Sequence, residues 1–201
     1  MALATENPMI ATIAMPLKIH LIRHGETDWS LSGQYTSRTD LALTEQGARQ
    51  ARELGQRLGG ICFTRIFTSP RKRAQQTYAL SGLTPASEID LDLAEWDYGD
   101  YEGRSTPEIR LDRPDWFLWR DGVPNGETVE QVAARTRIVI HRAMRSQRKV
   151  AMFAHGHVLR ILAATWLGLE PRDGKLFTLG TAAISVLGFE RDTRVIVRWN
   201  S

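Results

Sequence analysis

The rhythm of apolar and polar positions divides this chain into short strands alternating with helices. Leu17–Ile22 is a brief apolar run and predicts a buried strand. The polar, glycine-containing stretch 28–42 reads as a loop. Thr44 is a suitable N-cap, and Ala48, Ala51, Leu54, Gly55 and Leu58 then recur on one helical face. Gly59-Gly60 stops that helix. "RIFTS" (65–69) predicts a second strand, and Pro70 suits the first turn of a helix that continues through "RKRAQQTYAL". "SEIDLDL" (87–93) reads as a third short strand. From Glu127, Val129, Val132, Ala133, Thr136, Ile140, Ala143 and Met144 fall at helical spacing as far as about Gln147. "KVAMFA" (149–154) is an unbroken apolar strand. Val158, Ile161, Leu162 and Thr165 mark another helix, closed by Gly168. "AAISVLGFE" and "RVIVRWN" form a hairpin whose turn contains Asp192 and Thr193.

Continuous apolar strands alternating with helices predict a three-layer α/β/α sandwich. Its sheet is mostly parallel, with an antiparallel C-terminal edge hairpin. Residues 17–201 make one domain, residues 1–16 a flexible N-terminal extension, and 94–126 a lid or substrate-facing insertion. Ligands of such sheets bind beyond the carboxyl ends of the strands. "RHG" follows the first strand and "HGH" follows "KVAMFA", so His24 and His155 emerge on the same edge.

Composition narrows the class. With 201 residues, 42% hydrophobic, the chain can fill one core. No stretch of eighteen apolar residues exists, so no membrane span is predicted and no membrane partner is expected. The opening "MALATENPMIATIAMP" has no basic start and carries Glu6, Asn7 and Pro8, unlike a signal peptide. The single cysteine, Cys62, excludes an internal disulfide and fits a reducing cytoplasm. The net charge is only +3, yet 22 Arg stand against 4 Lys. Arg forks onto carboxylates and phosphates, although compositional bias accounts for most of them. "PRKRAQQ" has no basic stripe or interleaved aromatics around it, so nucleic acid is not an expected partner.

The chemistry-bearing groups are Arg23, His24, Arg73, His155 and a loop carboxylate. No G-x-S-x-G supplies a serine nucleophile. Cys62 lacks an arginine six residues on, where Thr68 stands. There is no phosphate-binding G-x-x-x-x-G-K-[ST]. "HGH" without other ligands is a poor metal site, so neither metal nor cofactor is expected. What remains is an imidazole that attacks phosphorus, with cations around the phosphoryl oxygens and Gly25 admitting backbone N–H groups to the anion. A protonated carboxyl must serve the leaving group. Glu95 leads, and Asp97, Asp100, Glu102 and Glu127 compete with it.

Four motifs, "LIRHGETDW", "TSPRKRAQQT", "LAEWDYGDYEG" and "FAHGHVLR", together resemble the histidine phosphatase superfamily, the phosphoglycerate mutase-like branch, over about residues 17–200. The resemblance implies His24 as phosphoryl acceptor and Glu95 as proton donor. It implies Arg23, Arg73 (rather than Arg71) and His155 around the phosphate, with Thr27, Ser30 and Gly156 completing the phosphate contacts. Two departures stand out. Ser30 replaces an Asn common in the family, and is expected still to donate one hydrogen bond. Trp96-Asp97-Tyr98-Gly99 replaces the Arg-His-Tyr-Gly of the mutases. A carboxylate at that place disfavours a doubly anionic substrate. The expected function is therefore a metal-independent phosphomonoesterase acting on small phosphorylated metabolites, sugar phosphates first. A cofactor-dependent phosphoglycerate mutase is the alternative, and a phosphate-binding pseudoenzyme comes third. His157 is expected to cap or orient the following helix and only to neighbour the site, His20 to be structural, and His141 to lie on a helix. Trp96, Tyr98, Trp116 and Trp119 either wall the leaving-group pocket or fill core. The C-terminal hairpin is the candidate surface for a homodimer.

Overall fold

The computed structural model describes residues 17–146 and 148–201; the extension expected at 1–16 lies outside them. The strands are β1 (Lys18–Arg23), β2 (Arg65–Thr68), β3 (Glu88–Ile89), β4 (Lys149–Ala154), β5 (Ile184–Glu190) and β6 (Thr193–Arg198). They form one sheet in the order β3-β2-β4-β1-β5-β6. β1 through β4 run parallel, β5 is antiparallel to β1, and β6 closes the edge hairpin. Alternation along each strand sends residues to opposite faces. Ile22, Ile66, Phe153 and Ile184 pack on one side with Leu54 and Leu58 of α2 (Glu45–Leu58). α3 (Lys72–Ser81) packs against α2. Ile19, Leu21 and Met152 face the other side with Val132 and Ile140 of α6 (Val129–Met144), and with Leu159 and Leu162 of α7 (Gly156–Leu167). The expected three-layer sandwich with an antiparallel edge is thus the observed fold.

Local departures have local causes. The stretch 28–42 is not all loop. Thr27 and Ser30 form a reciprocal capping box that starts a five-residue helix, α1 (Asp28–Ser32), and Gly33 ends it at φ 78°. Arg71 stays extended at φ −82°, ψ 137°, so the third helix starts at Lys72, two residues after Pro70. Only Glu88 and Ile89 pair with β2; Asp90 then accepts from the Asp92 N–H and bends Leu91–Leu93 into a 3-10 turn. The C-terminal hairpin turns at Arg191-Asp192, with Arg191 at φ 54°, and Thr193 already belongs to β6. The expected insertion contains a 3-10 turn (Gly99–Tyr101), α4 (Thr106–Asp112) and α5 (Leu118–Asp121). It buries Trp96, Trp116 and Trp119. It is therefore part of the core as well as a wall of the site. Among the described residues no helix is long and apolar enough to cross a membrane.

Candidate active site

β1 and β4 end side by side, and the His24 N–H donates to Ala154 O at 3.0 Å. The rings of His24 and His155 consequently lie 5.1 Å apart, centroid to centroid. His24 Nδ1 is 2.7 Å from Gly25 O. A carbonyl only accepts, so Nδ1 carries the hydrogen and Nε2 of the neutral ring holds a free lone pair. Burial, then Arg73 and Arg23, push the His24 pKa well below the ordinary imidazole value. The imidazole is thereby kept unprotonated.

Gly25 has a different job from the one expected. Its N–H donates to Thr77 Oγ1 at 3.0 Å rather than facing an anion. A Cβ there would stand 2.5 Å from Gly47 O. The glycine is needed because α2 approaches the backbone of the catalytic turn.

Arg73 is fully buried. Its Nε donates to His155 Nδ1 at 3.1 Å, Nη1 to Thr39 O at 3.1 Å and Nη2 to Thr36 O at 3.0 Å. His155 Nδ1 must then be bare, so Nε2–H donates to Ser69 Oγ at 2.7 Å. Burial and the neighbouring Arg73 hold the His155 pKa well below its ordinary value. Arg71 makes no such contact; it is the N-cap of α3.

A cavity of about 160 Å³ opens in front of His24. Of the residues expected at the phosphate, Arg23, Thr27, Ser30 and Gly156 line it, whereas Arg73 and His155 are fully buried beside His24 and do not. Arg23 Nη1 donates to Leu179 O at 2.6 Å, and its buried Nε has no partner among the described residues. Ser30 Oγ donates to Thr27 O at 2.9 Å, so the hydrogen expected for an anion is already spent inside the capping box. Thr27 Oγ1 accepts from the Ser30 N–H and keeps its own hydrogen free.

Glu95 sits at the N-terminus of α7. Its Oε1 accepts from the N–H groups of Trp96 (2.9 Å) and Val158 (2.8 Å), and Oε2 from that of His157 (3.0 Å). Among the described residues it is the one carboxylate lining the cavity. The competing acids are engaged elsewhere. Asp97 pairs with Arg38, Glu127 with Arg135, Asp100 with Asn125, and Glu102 accepts from the N–H groups of Ser37 and Thr39. Because Asp97 does not line the cavity, its charge is no argument against a doubly anionic substrate.

Among the other cavity residues are a third histidine and a further arginine. His157, expected to cap or orient the following helix and to neighbour the site, lines the cavity with Nδ1 2.6 Å from Tyr98 Oη. Arg160, one helical turn past Gly156, also lines it. Arg160 Nε donates to Gly174 O at 3.0 Å, and its guanidinium lies 4.7 Å from the Trp119 ring centre. The helical spacing of "HGHVLR" is the signal that would have found it. Of the four aromatics, Tyr98 faces the cavity and the three tryptophans fill core. His20 is buried and packs edge-on against Phe63, as a structural residue would. His141 lies exposed on α6.

A neutral imidazole with a bare nitrogen, set among arginines and a lone carboxylate at the carboxyl edge of a parallel sheet, defines a class: phosphoryl-transfer enzymes that use histidine. The family model described as "Histidine phosphatase superfamily (branch 1)" matches residues 19–201, and the chain belongs to that family. It is 41% identical over 181 residues to an acid phosphatase of Mycobacterium tuberculosis, covering 88% of this chain and 89% of that one. It is 43% identical over 183 residues to a sedoheptulose 1,7-bisphosphatase of Saccharomyces cerevisiae, covering 74% and 67%. The solved structure of an open reading frame from Mycobacterium tuberculosis superposes with a TM-score of 0.87 at 39% identity, covering 92% of this chain and 97% of that one.

Proposed function

We propose that residues 17–201 form a metal-independent phosphomonoesterase domain that works through a phosphohistidine on small phosphorylated metabolites, sugar phosphates first. The observation that carries the reading is the His24 Nδ1–Gly25 O contact of 2.7 Å, which leaves Nε2 unprotonated. Nε2 attacks phosphorus, the N–P bond forms, and the bond from phosphorus to the ester oxygen breaks. Glu95 Oε2, which accepts only one N–H, carries the proton given to the leaving oxygen. Water then attacks the phosphohistidine, returns a proton to Glu95, and frees phosphate and neutral His24. Arg23, Thr27 and the N-terminus of α7 at Gly156 hold the phosphoryl oxygens. Ser30 supports Thr27. Arg73 brings positive charge beside His24 and fixes the tautomer of His155.

A substrate rich in hydroxyl and anionic groups fits the cavity best, because Arg160, His157 and Tyr98 line it along with the phosphate-holding residues. The phosphatase names of the relatives at 41% and 43% identity support hydrolysis over the mutase alternative. The reading extends to a cytoplasmic setting, supported by the lone exposed Cys62. It extends also to pairing of two copies through the outer strand β6, supported by the half-exposed Val197.

The test is phosphate release from p-nitrophenyl phosphate and a sugar-phosphate panel in EDTA, with His24→Ala alongside. The expected result is release by the parent that vanishes in the variant, with acid-labile, base-stable phosphate on the quenched parent. Release that needs added divalent metal, or that survives His24→Ala, would refute it.

A further inference from the structure

The segment that carries Glu95 has almost no regular structure of its own. After the 3-10 turn at Leu91–Leu93 the backbone from Ala94 to Tyr98 belongs to no helix or strand. Its carbonyls therefore need partners from outside. One side chain supplies two of them, and reaches Asp92 in the preceding turn as well. Arg135, on α6, donates from Nη1 to Asp92 O (2.8 Å) and Ala94 O (2.6 Å), and from Nη2 to Glu95 O (3.2 Å). Its remaining hydrogens go to Glu127, Nε to Oε1 and Nη2 to Oε2, each at 2.9 Å. A guanidinium has five N–H donors, and all five are used. The side chain is only 13% exposed.

Glu127 extends the same clamp. Its Oε2 also accepts from the Asp97 N–H at 2.9 Å, and its backbone carbonyl accepts from the Trp96 indole at 2.7 Å. The chain is thus gripped at Asp92, Ala94, Glu95, Trp96 and Asp97 by two residues on or beside one helix. Nothing in this grip touches the cavity. The Glu95 carboxyl itself is held separately, by the N-terminus of α7.

We infer that Arg135 is a positioning residue for the proton donor: it fixes the Glu95 backbone so that the carboxyl meets the leaving oxygen. This rests on the reading of Glu95 as the acid. A buried planar fork is required, since three carbonyls and a carboxylate converge on it, and an ammonium offers three donors from one point. A misplaced acid slows only those reactions whose leaving group needs a proton. An alkyl phosphate expels an alkoxide and depends on that proton. p-Nitrophenyl phosphate expels a stable phenolate and does not.

The experiment compares kcat/KM, which reports phosphoryl transfer to His24, for an alkyl phosphate and for p-nitrophenyl phosphate. It is run on the parent, Arg135→Lys, Glu127→Gln and Glu95→Gln. Arg135→Lys should lose about 30-fold or more on the alkyl phosphate and less than about threefold on p-nitrophenyl phosphate. Glu127→Gln keeps the side-chain shape but turns one acceptor oxygen into a donor, so it loosens the clamp without removing Arg135; it should show a weaker form of the same selectivity, which guards against an Arg135 variant that does not fold. Equal losses on both substrates, or none, while Glu95→Gln discriminates between them, would overturn the role of Arg135 alone. If Glu95→Gln does not discriminate, Glu95 is not the acid and the proposal falls with it.

Discussion

Arg73 Nε donates to His155 Nδ1 at 3.1 Å, and this one hydrogen bond decides the tautomer of the second histidine. With Nδ1 accepting, the His155 hydrogen must lie on Nε2, where Ser69 Oγ receives it. Three Arg73 N–H groups are spent on His155, Thr36 and Thr39, so the planar fork fixes His155 to backbone on the far side of the ring. Arg73→Lys keeps the charge and loses the fork. The expected loss in kcat/KM is about 10²–10³-fold, together with a mixed tautomer of His155 in nitrogen NMR. A folded Arg73→Lys enzyme within about tenfold of the parent would show that the guanidinium serves packing only.

The acid limb of the pH profile follows from His24. The ring must be neutral to attack. Burial first, then Arg73 and Arg23, lower its folded pKa well below 6.5. Activity is therefore present above that lowered pKa and is lost only as pH falls through it. Proton NMR titration of His24 in the free enzyme should place its midpoint well on the acid side of the ordinary value. kcat/KM should hold down to the second ionisation of the substrate, at about 6. Arg23→Gln removes one of the cations and should shift the His24 midpoint upward. A parent midpoint at or above 6.5 contradicts this account.

How much of this was legible in the chain depended on where the determining information lay. β4 spans Lys149–Ala154, as the apolar run predicts, because a strand buried on both faces shows itself in its own residues. α6 buries Val129, Val132, Ala133, Thr136, Ile140 and Ala143, all at the predicted spacing. α1 was hidden because its five residues bury none of their side chains and its start rests on one capping box. The site was legible where a motif follows a strand, as for His24 and His155. It was not legible where a side chain's duty is set by distant backbone. Arg73 faces carbonyls of Thr36 and Thr39, more than thirty residues away in sequence. Gly25 is shaped by Gly47 rather than by the anion. Arg160 reaches the cavity only because residues 171–176 fold over Trp119 and offer carbonyls to its guanidinium.

Stability should fall on mild acidification. His20 is 5% exposed and packs against Phe63. Burial, with smaller contributions from Lys18, Lys149 and Arg198, lowers its pKa to about 4. The unfolded chain binds a proton there below about 6.5 while the folded protein does not, so stability decreases as pH drops from 6.5 and levels off below 4. At pH 5 His20 alone removes about 2 kcal/mol. His24, His155 and His157 act with the same sign. Urea midpoints at pH 7 and pH 5 measure the effect, and His20→Leu should reduce the difference. Equal stability of the parent at the two pH values would show that these imidazoles protonate without cost.

Arg160 makes the sharpest demand on the substrate. It lines the cavity and is half-buried, yet among the described residues it has no carboxylate partner. Its neighbours are the Gly174 and Lys175 carbonyls and the Trp119 ring. Burial lowers its pKa, with Tyr98 and Glu95 acting in the opposite direction. A cation so placed loses hydration without gaining a counterion. An anionic group on the substrate, beyond the phosphate that is transferred, would restore the balance through a charge-assisted hydrogen bond of about 1.5–3 kcal/mol. Arg160→Gln should therefore raise KM for a sugar bisphosphate about 10- to 100-fold. The same change should leave kcat/KM for p-nitrophenyl phosphate within about threefold, since that substrate has no second anion to lose. Equal losses on both substrates would instead mean that Arg160 acts on the transferred phosphate or on the packing of α7 against residues 171–176.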